Sequence, residues 1–290
     1  MRKDIIFYSE GSKISGHLYL PEKMEEGKKY PAVVLCHGFA GIKEALLPPF
    51  AEGFSNNGFI TLAFDYRGFG DSEGERGRLV PVDQIKDIRN AITYMETLAE
   101  VDPGKIALWG SSFGGANAIC VTAADKRVKA VIAQLTFGSG ERVVTGGLKP
   151  EEKEKLFATL SKISQRLVTQ NKNMMMSLNQ ILSDADSEEF FGKIIAEHPK
   201  INVKIPFLFV KESIEYKPED VIGKITVPVM ILGAEKDIVN PPAESKILFE
   251  KANEPKELVM IKDATHYQVY SGAKFEEAFK AEMEFFKKYL

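Results

Sequence analysis

The pattern of apolar and polar positions changes character twice along the chain. Up to about residue 136, short apolar runs alternate with helical periods. Ile14–Leu20 alternates apolar with small or polar residues and stops at Pro21, as a half-buried edge strand does. Ala32–Cys36, Ile60–Phe64, Ile106–Trp109 and Val128–Leu135 are apolar and β-rich, which predicts strands covered on both faces. Between them, Ile85, Ile88, Ile92 and Met95 share one helical face, with Asp83 as candidate cap. Phe113–Thr122, apolar and rich in small residues, predicts a further helix. Strands alternating with helices predict an α/β fold with a mostly parallel sheet and helices on both faces.

From Phe137 to Asp220 the alternation is lost. Leu156, Leu160, Ile163 and Leu167 make one helical stripe, and Met174, Leu178 and Ile181 suggest a second helix. Ser187–Ile195 reads as a third, with Phe191 and Ile194 or Ile195 inward. The α/β pattern then resumes. Pro228–Leu232 and Leu258–Ile261 read as strands, and Asn240–Pro241 as a cap and first helical position. Phe275, Phe279, Met283 and Phe286 mark one side of a final helix. The expected organisation is a core of residues 1–136 and 221–290, with residues 137–220 inserted as a helical cap, or lid.

Composition narrows the function classes. With 44% hydrophobic and 27% charged residues, the chain has an ordinary globular make-up. Its net charge of −3 is spread over both signs without a basic stripe, so no nucleic-acid partner is expected. No apolar run is long enough for a membrane span, and the N-terminal stretch lacks a signal-peptide core. Cys36 and Cys120 sit in apolar runs outside any C-x-x-C pair, which predicts buried, reduced thiols. A cytoplasmic protein without metal or other cofactor is expected, and a homodimer stays open.

The strongest chemical signal is Gly110-Ser111-Ser112-Phe113-Gly114, a G-x-S-x-G between a buried strand and a helix. So tight a turn strains its central residue and needs small neighbours. It holds Ser112 Oγ out at the C-terminal end of the sheet, where the helix N-terminus favours developing negative charge. A serine nucleophile needs a base, and the chain has four histidines. His17 lies in a strand, His198 in the inserted block before Pro199, and His37 in a glycine-bearing loop. His266, in a loop after the last expected strand, is the candidate base. The acid that orients it is expected at Asp237, after the strand Pro228–Leu232, with Asp263 and Glu235 as rivals. The oxyanion of acyl transfer needs preorganised N–H donors. Phe113, after the nucleophile, and Phe39, in His37-Gly38-Phe39-Ala40-Gly41, are the candidates.

Together these residues resemble the α/β-hydrolase superfamily. The matching pieces are His37-Gly38-Phe39, the loop Asp65-Tyr66-Arg67-Gly68-Phe69-Gly70-Asp71-Ser72, Gly110–Gly114, Asp237 and His266. The resemblance implies an eight-stranded, mostly parallel sheet with Ser112, Asp237 and His266 at its C-terminal edge, and an Asp65–Ser72 loop that shapes the rim. Cores of this kind are similar to those of feruloyl- and cinnamoyl-type esterases and dienelactone-hydrolase-like proteins. A serine at the elbow argues against the dehalogenase and epoxide hydrolase branches, which place an aspartate there. The expected activity is cleavage of a small to medium, partly apolar carboxylic ester. Thioester, amide and acyl-transfer chemistry use the same triad, and a non-catalytic ligand-binding protein on this fold is the reading from a different class. Met174–Met176 is expected as adaptable filler within the cap.

Overall fold

Eight strands form one sheet in a computed structural model that describes all residues, Met1–Leu290. They are β1 (Arg2–Ser9), β2 (Ser12–Tyr19), β3 (Tyr30–Cys36), β4 (Ile60–Phe64), β5 (Val101–Ser111), β6 (Val128–Gln134), β7 (Val229–Ala234) and β8 (Lys256–Ile261). Their order is β1-β2-β4-β3-β5-β6-β7-β8. The β1–β2 and β2–β4 pairs are antiparallel and the others parallel.

The buried runs sort by parity. Val34 and Cys36 of β3, with Leu108 of β5, point to one core layer. Val33, Leu35 and Trp109 point to the other. Helices α1 (Leu47–Asn56), α2 (Pro81–Glu96) and α3 (Phe113–Ala124) cover the sheet from both sides: α2 and α3 pack on the first layer and α1 on the second. This is why these strands read as continuous apolar segments rather than alternating ones.

Ile14–Leu20 is not the edge. Its strand is paired on the outside by β1, whose outward side chains, Ile6 and Tyr8, are exposed. The two strands join through Glu10 and Gly11, both at positive φ, the geometry of a tight hairpin turn. Helix α2 starts at Pro81, with Val80 as its cap residue; Asp83 lies in the first turn and bonds Arg78. Proline at the first helical position carries φ preset for helix, so the start falls upstream of the aspartate.

Between β6 and β7 the chain runs through α4 (Gly140–Thr145), α5 (Pro150–Gln170), α6 (Leu178–Ile181), α7 (Ala185–Glu197) and α8 (Phe209–Glu215). The methionine stretch is not a helix. Met175–Met176 pairs with Ile205–Pro206 as a two-residue bridge, and α6 is a single turn. Met174 and Met175 are 40% and 42% exposed, so they fill no interior space.

The last helices are α9 (Pro242–Lys251) and α10 (Gly272–Tyr289). Helix α9 begins one residue later than Asn240–Pro241 suggests, with Pro241 as its cap residue. The Asn240 amide is already committed elsewhere, to the Leu135 carbonyl at 2.7 Å. Helix α10 joins the second core layer and carries the fully buried Glu282, whose Oε1 accepts from Trp109 Nε1 at 2.8 Å. Burial pushes the Glu282 carboxyl up to about 8. The native state therefore holds a proton there that the unfolded chain releases near pH 4.5. Native stability from this group is present at low pH and lost as pH rises toward 8, on the order of 1.4 kcal/mol per pH unit crossed. Glu282→Gln is expected to gain on wild type steadily between pH 5 and pH 8.5 in urea denaturation. A difference constant with pH refutes this.

Candidate active site

Four loops meet at the C-terminal ends of the strands. They follow β3, β5, β7 and β8, with the β4 loop behind them. Chain order switches direction between β3 and β5, the place where open α/β sheets bind ligands.

Ser112, following β5, sits at φ 56°, ψ −123°, a region that costs a non-glycine residue roughly 1–3 kcal/mol. Its N–H donates to the Gln134 carbonyl at 2.8 Å, and its own carbonyl accepts from Thr136 Oγ1 at 2.7 Å. The flanking glycines are needed for space. A Cβ on Gly110 would lie 2.3 Å from the Gly114 carbonyl oxygen, and one on Gly114 only 2.0 Å from that of Cys36. Because the second obstacle is the backbone of a central strand, Gly114→Ala is expected to lower stability by roughly 3 kcal/mol. A melting temperature within a degree or two of wild type would contradict this.

His266 follows β8 and is 3% exposed; its Nδ1 lies 2.7 Å from Asp237 Oδ2. Asp237, after β7 and equally buried, accepts on Oδ1 from the backbone N–H groups of Val239 (2.9 Å) and Asn240 (2.7 Å). Both carboxylate oxygens are thus engaged, one by the chain and one by the imidazole. The two rival acids point elsewhere. Asp263 is exposed and pairs with Lys236 Nζ at 2.9 Å, and Glu235 accepts from the Asp263 N–H. Tyr267 stands edge-on to the imidazole, 5.0 Å between centroids.

The other histidines lie apart. His17, in β2, is buried with its Nε2 3.5 Å from Asp4. His198 caps the C-terminal end of α7 and is half-buried. His37 packs against Tyr66 with centroids 4.6 Å apart, and its Nδ1 lies 3.2 Å from the Gly38 carbonyl oxygen. Burial pushes its pKa down, so the ring is a neutral brace of the loop that carries Phe39.

Phe39 N–H makes no backbone hydrogen bond, and Phe113 N–H opens a helix, where the first amides have no intrahelical acceptor. The Phe39 loop contains two non-glycine residues at positive φ, Ala40 and Leu46. It is held by Lys43, which the sequence did not single out. The Lys43 backbone N–H and Nζ bond the two oxygens of buried Asp65 at 2.7 and 2.8 Å, and Nζ also reaches Asp71 and Glu44. Burial alone would pull the ammonium toward its neutral form, but the facing carboxylates, Asp65 foremost, hold it charged. Lys200, beyond α7, bonds the other oxygen of Asp71 at 2.5 Å and so ties the segment between β6 and β7 to this network. Together Lys200 and Lys43 lower the Asp71 carboxyl to about 2.

Asn240 was also missed. Its Nδ2 donates to Ser112 Oγ at 3.4 Å as well as to Leu135, while its own N–H serves Asp237. No local signal marks its side chain for the site, because the partners of Nδ2, Ser112 and Leu135, follow β5 and β6.

Ser112 opens onto two cavities. One, about 340 Å³, is walled by Phe113, Phe137, Val143, Phe209 and Val210. The other, about 50 Å³, also contains His266 and is walled by Leu182, Phe190, Phe191 and Tyr267. Phe190 stacks on Tyr267 at 4.1 Å, and the Tyr267 hydroxyl bonds Ser187 of α7 at 2.8 Å.

Residues 27–270 match the family described as serine aminopeptidase, S33. The chain belongs to this family of α/β hydrolases. Among its relatives, an uncharacterized 31.7 kDa protein of Escherichia coli is 42% identical over 96% of this chain and 98% of its own. A thiohydrolase of Aspergillus aculeatus is 30% identical over 95% of this chain and 89% of its own. A solved structure of DcsB in complex with its substrate analogue superposes with a TM-score of 0.87 at 28% identity, covering all of both chains. Like its family, the chain has the α/β-hydrolase fold with an eight-stranded, mostly parallel sheet. No helix is long and apolar enough to cross a membrane.

Proposed function

We propose that this hydrolase cleaves a carboxylic ester of small to medium, partly apolar character through an acyl-enzyme on Ser112. The observation that carries the reading is that His266, paired at 2.7 Å with buried Asp237, lines one cavity with the strained Ser112. His266 takes the Ser112 proton as Oγ adds to the carbonyl carbon. The carbonyl oxygen becomes an oxyanion facing the amides of Phe39 and Phe113. His266 then gives the proton to the departing alkoxide, the C–O bond breaks, and the acyl group stays on Ser112. Water, deprotonated by His266, adds to the acyl-enzyme and releases the acid. Asp237 keeps the imidazole in the tautomer with its proton on Nδ1 and offsets its charge when both nitrogens are protonated.

Since His266 protonates the leaving group, the alcohol belongs in the small cavity on its side. The acyl group then belongs in the larger apolar one. Aminopeptidase action, which the family description names, fits these cavities less well. A free α-ammonium calls for an available carboxylate, and the one in the walls, Asp184, already accepts from Ser187 N and Ser187 Oγ. A thioester is the second reading, favoured by the thiohydrolase relative; the same steps apply with a thiolate leaving. A cytoplasmic location goes with either.

The deciding experiment is labelling with a fluorophosphonate probe followed by a panel of ester, thioester and amide substrates. Modification at Ser112 with turnover of esters supports the first reading, and faster thioester turnover the second. A protein left unlabelled, yet binding acyl ligands, would overturn both in favour of a ligand-binding role.

A further inference from the structure

Asn240 touches the nucleophile, yet the catalytic steps above give it no task. It is 4% exposed and lines the larger cavity beside Ser112. Its backbone N–H donates to Asp237 Oδ1 at 2.7 Å, and its Nδ2 donates to the Leu135 carbonyl at 2.7 Å. A carbonyl oxygen only accepts, so this second bond fixes which end of the amide is the NH₂ group. The acceptor is itself held in place: Leu135 sits at φ 48°, with its N–H bonded to the Leu232 carbonyl at 2.6 Å. One hydrogen of Nδ2 serves Leu135. The other is left for Ser112 Oγ, 3.4 Å away.

We propose that Asn240 is a catalytic residue for deacylation: its Nδ2–H hydrogen-bonds Ser112 Oγ as that oxygen leaves the acyl group. This deepens the acyl-enzyme reading of Ser112 and rests on it. What matters is how well Oγ accepts at each stage. In the acyl-enzyme Oγ is the alkyl oxygen of an ester, a poor acceptor because its lone pair is shared with the carbonyl. When the water adduct collapses, the C–Oγ bond breaks and its electron pair stays on Oγ. His266 then returns to Oγ the proton it took from water, and Asn240 gives up none. A donor worth little to the acyl-enzyme is therefore worth much to the departing, charge-rich oxygen. Acylation runs the other way, from a hydroxyl that already accepts this bond to an ester oxygen that accepts poorly. It gains little from the donor.

The test separates the two half-reactions in Asn240→Ala and Asn240→His. Alanine removes both hydrogens. Histidine carries one N–H at Nδ1, as many bonds from Cα as Nδ2 is, so it can serve Leu135 without also serving Ser112. Labelling by a fluorophosphonate reports attack by Oγ alone. Quenched-flow intact mass with a p-nitrophenyl ester reports decay of the acyl-enzyme. Both variants are expected to label within about threefold of wild type but to deacylate about 10- to 100-fold more slowly, so that acyl-enzyme accumulates. A merely structural role would slow both half-reactions together in alanine and be restored by histidine. If alanine fails to fold, seen as loss of labelling and of a cooperative melt, histidine decides. Equal loss in both half-reactions of the histidine variant, or its deacylation at the wild-type rate, overturns the proposal. Failure of the hydrolase reading looks different: wild type itself is then neither labelled nor acylated, and the role of Asn240 falls with it.

Discussion

Replacing Ser112 by alanine is expected to reduce kcat on an ester substrate roughly 10⁴- to 10⁶-fold and to abolish the acyl-enzyme mass shift. The elbow geometry explains why so small a change has so large an effect. Loss of Oγ removes the atom that attacks and leaves the amides of Phe39 and Phe113 in place, so binding survives while chemistry does not. Alanine also suits the turn no worse than serine, because Ser112 Oγ has one contact, the 3.4 Å approach of Asn240 Nδ2. The variant should therefore fold and melt as wild type does. Stopped-flow or single-turnover assay with intact-mass detection checks it, and retention of full esterase activity would remove Ser112 from the mechanism.

Asp237→Asn is the second large effect, expected to lower kcat by roughly 10⁴-fold with little change in KM. The reason lies in how the two carboxylate oxygens are used. Oδ1 accepts from two backbone amides, so an asparagine places its carbonyl oxygen there. Its NH₂ group then faces His266 Nδ1, where Asp237 Oδ2 now stands at 2.7 Å. A donor at that point forces the imidazole proton onto Nε2, the nitrogen that must accept from Ser112. Steady-state kinetics with a melting curve separates this tautomer effect from misfolding. Activity within tenfold of wild type would mean that Asp237 does not orient the base.

The two variants touch parts of the site that differ in how much the chain itself discloses. The elbow is local. Its strain, its need for Gly110 and its place between strand and helix involve five consecutive residues, and each can be read in order, whereas the closest obstacle at Gly114 is the Cys36 carbonyl of β3. The central strands were legible for a similar reason, since burial on both faces leaves an unbroken apolar run. β1 was not, because an edge strand exposed at Ile6 and Tyr8 looks like polar alternation without a core. The start of α2 was displaced by three residues, its cap falling on Val80 rather than Asp83, because Pro81 outweighed Asp83 as a start signal. The methionine stretch has helical spacing but makes strand-like contacts with Ile205 and Pro206, partners outside any sequence window.

The residues around the elbow depend on distance in space. Asp237, Asp263 and Glu235 are three carboxylates in neighbouring loops of similar composition. Which of them meets His266 follows from the parallel register of β7 and β8 and from Lys236 drawing Asp263 outward. Lys43 carries no motif, and the role of Lys43 and of the Asn240 side chain comes from partners on other elements. The sequence by itself determined the α/β alternation, the strained serine and the order of Ser112, Asp237 and His266, because backbone sterics and burial periodicity act over a few positions. The tertiary structure alone decided which carboxylate pairs with His266, what braces the Phe39 loop, and the shape of the two cavities. Those outcomes arise where loops from different strands and the segment between β6 and β7 converge, and no short-range rule reaches that far.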